Sequence, residues 1–329
     1  MAHIPGSSRR RLAVVVNPLR LDDVDATRRV IEESCRRHGW DEPSWVETTA
    51  EEPGEKQGRE AVEAGADVVC SLGGDGTVRA VASALVGTDV ALGLLPGGTG
   101  NLLARNLGLP VDSIEEAMEA VLAGSDRTID VGLMRAGPAA GPQPKEDEVG
   151  EDEYVFLVMA GAGLDGEIMA DTNEKVKEVA GWLAYLLAGA QKLAGRGFTV
   201  TVESTAPAPT AADDRDEVAT LRRHARMVVV GNCGTLQGGV ELLPDAVVDD
   251  GILDGVVLAP KGIGGWLSVI VDVVTRHRHG HRRLDRLRAT RLRIRMGRPV
   301  IAEVDGDPIG EHESLSIRVL PQALVVRVA

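Results

Sequence analysis

Two glycine-rich turns hold the residues best suited to chemistry. The first, Gly73-Gly74-Asp75-Gly76-Thr77, follows a β-branched run, and the second, Gly97-Gly98-Thr99-Gly100-Asn101, follows another apolar run. Glycine allows a backbone to take positive φ and to approach a ligand closely, and N–H groups at a helix start attract anions. The pattern predicts two phosphate-binding turns at the ends of adjacent parallel strands.

Acidic residues accompany these turns. Asp75 lies inside the first turn, where it would repel phosphate unless it holds a metal, orients a donor or accepts a proton. Asp305 and Asp307 flank Gly306 further along the chain, a spacing that lets both carboxylates face one cleft. The alternative for this pair is a solvated Asp-Gly hairpin turn. Positioned phosphates with a proton acceptor would serve phosphoryl transfer.

The surrounding patterns predict two domains. Residues 11 to 131 alternate strand and helix patterns, which indicates a parallel α/β sheet. Beyond the loop Ala136 to Glu153 the pattern is β-rich, which favours a β-sandwich-like domain, interrupted by helices over Glu174 to Leu193 and Ile263 to Thr275. The predicted strands of this part are Tyr154 to Met159, Phe198 to Glu203, Ala225 to Val230, Leu253 to Leu258, Arg291 to Met296, Val300 to Val304, Ser314 to Leu320 and Ala323 to Val328.

Composition narrows the class of protein. The 329 residues carry a net charge of −14 and are 2% aromatic, so nucleic acid is not an expected partner. Three scattered cysteines suggest neither disulfides nor a zinc site and fit a cytoplasmic protein. The apolar segments are too short or too interrupted to span a bilayer, and no signal peptide is expected, so a soluble or peripheral protein is predicted.

The turn motifs resemble those of the diacylglycerol kinase catalytic family, which includes soluble bacterial lipid kinases, sphingosine kinases and ceramide kinases and is distantly related to NAD kinases. The resemblance covers about residues 11 to 329. It also rests on Asn17-Pro18, Thr48-Thr49, Arg127 to Asp130, Gly161 to Asp165, Leu243 to Ala246, Asp249 to Asp254 and Val304 to Asp307. It implies an NAD-kinase-like nucleotide-binding domain, 11–131, to which residues of about 318–329 return, and a lipid-substrate domain, 132–317.

The resemblance assigns roles to individual residues. It implies that Asp305 is the general base, with Asp75 and Asp307 as further catalytic residues. The implied ATP-binding residues are Asn17, Thr49, Gly73, Gly74, Asp75, Gly76, Thr77, Gly98, Thr99 and Asn101. For Mg²⁺ it implies a carboxylate network including Asp130, and a structural ion held by Asp250 and the backbone oxygens of Val247 and Ile252. Two departures are Asp307, where the family usually has Glu, and Leu102, where many relatives have Asp.

The expected function is an ATP- and Mg²⁺-dependent lipid kinase that converts diacylglycerol to phosphatidic acid. A sphingoid-base or other long-chain alcohol kinase is the alternative in the same class. NAD kinase is more distant, because Leu102 follows Asn101 where that family has Glu. A non-catalytic nucleotide- or lipid-binding regulator is the alternative of another class.

The resemblance implies a lipid substrate as the expected partner. Peripheral contact with the inner membrane surface is expected from the charges of the basic segment Arg276 to Arg288, for which a solvated loop is the alternative. The helix around Trp182 either lines a lipid entrance or packs in the core. A homodimer is one open assembly state.

Overall fold

The computed structural model describes residues 10–137, 147–163, 197–206, 217–236, 239–260, 265 and 284–329. The helix predicted over Glu174 to Leu193, with the residues around Trp182, lies outside these residues, as do Asp165 and the basic segment up to residue 283. Of the helix predicted over Ile263 to Thr275, only Gly265 is described. The chain divides into two compact units, one containing the residues up to Ile129 together with Ala323–Ala329, and the other Asp130–Gln322.

The first unit is a parallel sheet with helices between its strands. Leu12–Val16 (β1) and Val68–Gly73 (β3) bury every residue, as strands covered on both faces do. The other elements are α1 (Val24–Arg37), β2 (Ser44–Glu47), α2 (Glu55–Glu63), α3 (Asp75–Leu85), β4 (Ala91–Pro96), α4 (Leu102–Asn106) and α5 (Ile114–Ala123), with a 3₁₀ turn at Pro18–Arg20. The strand order is β2-β1-β3-β4, and the chain's last strand adds in parallel beside β4. The predicted parallel α/β fold is confirmed.

Side chains that satisfy exposed backbone groups mark the helix starts. The Asp23 carboxylate accepts the N–H of Ala26 at 2.8 Å, and the Ser113 hydroxyl accepts that of Glu116 at 3.2 Å. The inner face of α1 buries Ile31 in the core cluster under the sheet. Among the described residues, no helix has the length and apolar character needed to cross a membrane.

The second unit is built from antiparallel strands, so the predicted β-rich second domain is also confirmed. Its strands are β6 (Tyr154–Phe156), β7 (Met159–Ala162), β8 (Phe198–Ala206), β9 (Glu217–Ala225), β10 (Met227–Gly231), β11 (Thr235–Leu236), β12 (Val240–Glu241), β13 (Leu253–Leu258), β14 (Leu284–Ala289) and β15 (Arg291–Val304). Two strands begin in one unit and end in the other, β5 (Ser125–Ala136) and β16 (Asp307–Val328). The central order is β14-β13-β10-β7-β15-β16, and β8 pairs with both β15 and β9.

Some strand bounds differ from the prediction. The expected strand Tyr154 to Met159 is split into β6 and β7, because the N–H groups of Leu157 and Val158 bond to the carboxylate of Asp305 instead of a neighbouring strand. The strands expected over Arg291 to Met296 and Val300 to Val304 form one strand, β15, with a register shift between them.

Two further differences concern the ends of the sheet. Glu217–Ala225 forms β9, although its polar, exposed sequence gave no strand signal, because it pairs along its whole length with β8. The final two predicted strands are continuous in β16, since Gln322 takes φ +47 without ending the strand.

Arg327 holds the last strand in the first unit. Its side chain is buried, with 4% of the residue exposed, and donates to the carbonyl oxygens of Val121 and Gly124 at 2.7 and 2.6 Å. It also donates to Asp126 at 2.7 Å. We expect Arg327→Leu to lower the free energy of unfolding by about 3 kcal/mol, because it leaves buried carbonyls unpaired.

Urea unfolding of the two proteins measures this difference. The control is Arg295→Leu on β15, which removes an exposed ion pair with Glu203 and should cost less than about 1 kcal/mol. If both variants lost the same free energy of unfolding, the stabilising role given to Arg327 would be contradicted.

Candidate functional site

The carboxyl ends of four parallel strands meet at one edge of the first unit. The N–H of Asn17, directly after β1, donates to the Leu72 carbonyl oxygen of β3 at 2.9 Å. The N–H of Thr48, directly after β2, donates to the Val16 carbonyl oxygen, also at 2.9 Å. Gly73 at the end of β3 is paired with Pro96 at the end of β4. The ten residues expected to bind ATP are thus gathered at or beside this edge.

The two glycine turns touch each other through their backbones. A Cβ atom on Gly97 would lie 2.6 Å from the Gly73 nitrogen, and one on Gly98 would lie 2.7 Å from the Gly74 Cα. Both distances are shorter than any real Cβ contact, so these positions exclude every side chain. The two motifs, separated in sequence, therefore lie in direct backbone contact, and most of their residues are partly accessible.

Asp75 fastens the second turn to the first. Its Oδ1 accepts the N–H of Leu102 at 2.7 Å and so caps the short helix α4 from 27 residues away. The turn before α4 is shaped by Asn101, which takes φ +47 and donates from Nδ2 to the Gly98 carbonyl oxygen at 2.8 Å. Metal binding, orientation of a donor and proton acceptance were the three roles expected for Asp75. In the structure its carboxylate orients a donor, the N–H of Leu102.

A helix start and an open cleft lie at the same edge. Helix α3 begins at Asp75 after Gly74, which offers no side-chain cap, so the first-turn N–H groups can attract an anion. An open cleft of about 660 Å³ adjoins the second glycine turn. It is lined by Leu19, Arg20, Leu21, Asp22, Asp23, Ala26, Thr27, Pro96, Gly97, Gly98, Thr99, Val111, Asp112 and Ile114. The segment after Asn17 also lines this cleft and was not among the expected site residues. Its Arg20 places a cation there.

In the second unit, Asp305 and Gly306 form the two-residue turn that joins β15 to β16. Their φ values are +48 and +87, and Val304 pairs with Asp307 across the turn. Tight hairpins require positive φ at both loop positions, which Asp-Gly tolerates well. The hairpin alternative for this dipeptide is therefore correct as local structure.

The Asp305 carboxylate is nevertheless not a solvated turn acid. Its Oδ1 accepts the N–H groups of Val158 and Met159 at 2.9 and 3.0 Å, and its Oδ2 accepts that of Leu157 at 3.0 Å. The Asp305 N–H donates to the Met159 carbonyl oxygen at 2.7 Å. These contacts fix both the backbone and the carboxylate of Asp305, whereas Asp307 is exposed.

Glu303 is a buried acid that sequence reasoning missed. Only 9% of the residue is exposed, and burial, followed by the negative charges of Asp305 and Asp307, raises its pKa to about 7. The sequence signal that could have identified it is an acid in a strand pattern two residues before Asp305. Its burial could not be predicted, because it depends on the neighbouring strands that cover this position.

Two of the residues expected to hold Mg²⁺, Asp130 and Asp250, accept hydrogen bonds from other parts of the chain. Asp130 accepts the N–H groups of Gln322 and Gly251 at 2.7 and 2.6 Å, and burial raises its pKa. Asp250 accepts the N–H of Ile252 at 3.1 Å and the Arg288 guanidinium at 2.9 Å.

All four carboxylate oxygens of Asp130 and Asp250 accept these hydrogen bonds, and each oxygen keeps a further acceptor site. The described residues contain no group of three or more His, Cys, Asp or Glu side chains placed to hold a metal. The ion expected at the Asp250 turn would use one carboxylate and two backbone oxygens, so its site stays a prediction.

Comparison with known families matches both parts of the chain. Residues 11–134 match the diacylglycerol kinase catalytic domain. Residues 158–328 match the YegS C-terminal NAD kinase beta sandwich-like domain.

Individual relatives agree with these matches. "Probable lipid kinase YegS-like" of Enterobacter sp. (strain 638) is 28% identical over 82% of this chain and 80% of its own. "Probable lipid kinase YegS" of Salmonella typhimurium is 28% identical with the same coverage. The crystal structure of a diacylglycerol kinase from Bacillus anthracis str. Sterne aligns with a TM-score of 0.69 and 19% identity over 98% of this chain and 97% of that one. A second crystal structure from that organism aligns with a TM-score of 0.74 and 20% identity over the same shares.

The buried Glu303 predicts a pH-dependent stability. Its folded-state pKa of about 7 lies above the ordinary value of 4.5, so folding disfavours its ionised form. Wild-type stability should therefore fall as pH rises from about 4.5 through about 7, by about 3 kcal/mol in total. Glu303→Gln should remove this fall and be the more stable protein at pH about 8.5.

Urea unfolding of both proteins at a series of pH values checks this expectation. Glu203→Gln, at a half-exposed position of β8, is the matched control and should follow the wild-type curve. Parallel curves for wild type and Glu303→Gln would contradict the prediction.

Proposed function

The chain belongs to the diacylglycerol kinase catalytic family, and we propose that it transfers the γ-phosphate of ATP to the hydroxyl group of diacylglycerol. The product would be phosphatidic acid. The observation that carries the proposal is the backbone contact between the two glycine turns beside the start of α3. This contact lets backbone N–H groups approach an anion closely, which suits the phosphates of a nucleoside triphosphate.

The nucleotide occupies the carboxyl edge of the first unit in this proposal. The peptide groups of Gly73 to Thr77 and of Gly98 and Thr99 face its phosphates, and Asn17, Thr49 and Asn101 complete the site. Asp75 keeps the two turns in register through Leu102. Magnesium enters as part of the MgATP substrate, where it offsets phosphate charge.

Asp305 accepts the proton in the proposed reaction. The lipid hydroxyl oxygen forms a bond to the γ-phosphorus while the bond from that phosphorus to the β–γ bridging oxygen breaks. ADP leaves with the electron pair, and the hydroxyl proton passes to the Asp305 carboxylate and then to solvent. The three backbone N–H groups that hold this carboxylate keep it in one orientation, which is what a positioned base needs.

The acceptor and the setting of the reaction belong to the same proposal. Diacylglycerol is favoured over a sphingoid base by the family match alone. A lipid acceptor requires peripheral contact with the inner membrane surface from the cytoplasm, and a homodimer is compatible with it.

A nucleotide- or lipid-binding regulator is the second candidate function. The bonds from Leu157, Val158 and Met159 give Asp305 a structural reason to be present that needs no catalysis. Asp307 in place of the family's usual Glu points the same way.

Transfer of labelled γ-phosphate from ATP to lipids in mixed micelles tests the proposal. Diacylglycerol, sphingosine, ceramide and NAD are compared as acceptors, with and without Mg²⁺. We expect Mg²⁺-dependent phosphatidic acid from the wild type. Asp305→Asn should lower kcat by about 100-fold or more, because an amide cannot accept the proton.

Glu311→Gln is the matched control, since this acid lies at an exposed position of β16 and has no expected role in the site, and it should leave activity nearly unchanged. Melting temperature and ATP binding of each variant separate lost catalysis from lost folding. Bound ATP with no phosphorylation of any acceptor would overturn the kinase proposal in favour of the regulator.

Gly74 offers a test of the nucleotide site that leaves the fold intact. A Cβ at Gly74 meets nothing within 4 Å, and its φ of −81° suits any residue. If phosphate lies against this turn, Gly74→Ala should weaken ATP binding by about tenfold or more at an unchanged melting temperature.

Calorimetric titration with MgATP measures this effect. Gly297→Ala, where a Cβ would have its nearest neighbour at an ordinary 3.5 Å, is the control and should leave ATP affinity unchanged. If Gly74→Ala bound MgATP with wild-type affinity, the proposed placement of the phosphates against this turn would be wrong.

A further inference from the structure

Glu303 is a buried residue whose carboxyl group has no polar partner in the part of the chain that the structure describes. Its cross-strand neighbours are Gly161 of β7, which has no side chain, and Pro308 of β16, which has no N–H. No hydrogen bond to its carboxyl group is formed by the described residues. Burial of an acid without a donor disfavours its ionised form, so this position makes the charge of Glu303 sensitive to pH.

Glu303 and Asp305 lie beside the same neighbouring strand, β7. Ala302 and Val304 belong to the core of the second unit, and successive residues of a strand face opposite sides. Glu303 therefore lies on the other face of β15. It pairs with Gly161 of β7, and the Asp305 carboxylate accepts the N–H of Met159, the first residue of the same strand, so both acids lie beside β7. The β15–β16 pairing shifts register between Ala302 and Glu303, and such bulges often re-aim a side chain beside an active site.

The charges around Glu303 come from two acids. Among the described elements packed against it, β7 has no titratable side chain, β15 leads to Asp305, and β16 opens with Asp307. Burial and these two negative charges raise the pKa of Glu303 to about 7. Its charge therefore changes within the physiological range, next to a carboxylate held in one orientation.

We propose that Glu303 is a positioning residue of the phosphoryl-transfer site, whose ionisation strengthens Asp305 as the proton acceptor. The inference rests on the proposed kinase function and deepens it. Glu303 makes no bond to the lipid or the phosphate and exchanges its own proton with solvent. Its negative charge acts on Asp305 through space, because a nearby like charge favours protonation of a carboxylate.

This role predicts a specific pH dependence of turnover. The ratio of wild-type kcat to that of Glu303→Gln, measured from pH about 5.5 to about 8.5 in the phosphate-transfer assay, should rise in one sigmoidal step centred near 7. Titration of ATP and of the assay components cancels in this ratio, because both proteins experience it. Glu303→Asp keeps an ionisable group and should restore the step.

Asp254→Asn is the matched control. Asp254 is a second buried acid whose pKa is raised to about 6, chiefly by burial, but it lies on β13 beside Arg288. The ratio of wild-type kcat to that of Asp254→Asn should show no step near pH 7. Melting temperatures measured across the same pH range keep changes in folding apart from changes in turnover.

Each outcome decides the inference. A step that is present for Glu303→Gln and absent for Asp254→Asn supports it. A flat ratio for Glu303→Gln, with active wild-type enzyme, overturns the role of Glu303 and leaves the kinase proposal intact. An inactive wild type on every acceptor overturns the kinase proposal and this inference together.

Discussion

The backbone contact between the two glycine turns is the constraint on which the candidate site depends. Gly97 and Gly98 approach Gly73 and Gly74 so closely that a single methyl group would separate them. Close approach requires β3 and β4 to be adjacent and parallel, with both carboxyl ends at the same height, and their pairing provides this. The arrangement brings many peptide groups together at one helix start. Backbone N–H groups can bind phosphate without the conformational entropy that long cationic side chains would lose.

Acids in this protein serve first as acceptors for backbone N–H groups. Asp75 caps α4, Asp130 joins the N–H groups of Gly251 and Gln322, and Asp305 binds three consecutive N–H groups. A carboxylate has several acceptor sites, so one acid can satisfy backbone groups from segments far apart in sequence. This use also explains why the strand expected over Tyr154 to Met159 is interrupted. Structural and chemical roles are therefore compatible in one residue, and a turn acid in such a protein cannot be assigned to either role from its sequence context alone.

Glu303 differs from these acids because nothing described binds its carboxyl group. Backbone N–H groups hold the carboxylate of Asp305. The surroundings of Glu303 raise its pKa, through burial and through the negative charges of Asp305 and Asp307. Proteins retain groups that lower stability chiefly where function requires them. The two carboxyls lie on one short segment: that of Asp305 accepts three backbone N–H groups, and that of Glu303 has no partner among the described residues. This contrast is the basis on which we propose that the hairpin takes part in proton transfer.

Local features of this protein were predictable from its residue pattern. Strand and helix alternation predicted the parallel first unit, β-rich patterning predicted the second, and glycine spacing located both turns. The contacts of the side chains were not predictable in this way, because they join distant segments: the partner of Asp75 lies 27 residues away, and the partners of Asp305 lie about 147 residues away. Periodicity shows which face of a strand is buried but not which strand lies beside it. Sheet order therefore decided the burial of Glu303, the length of β15 and the pairing of the polar strand β9.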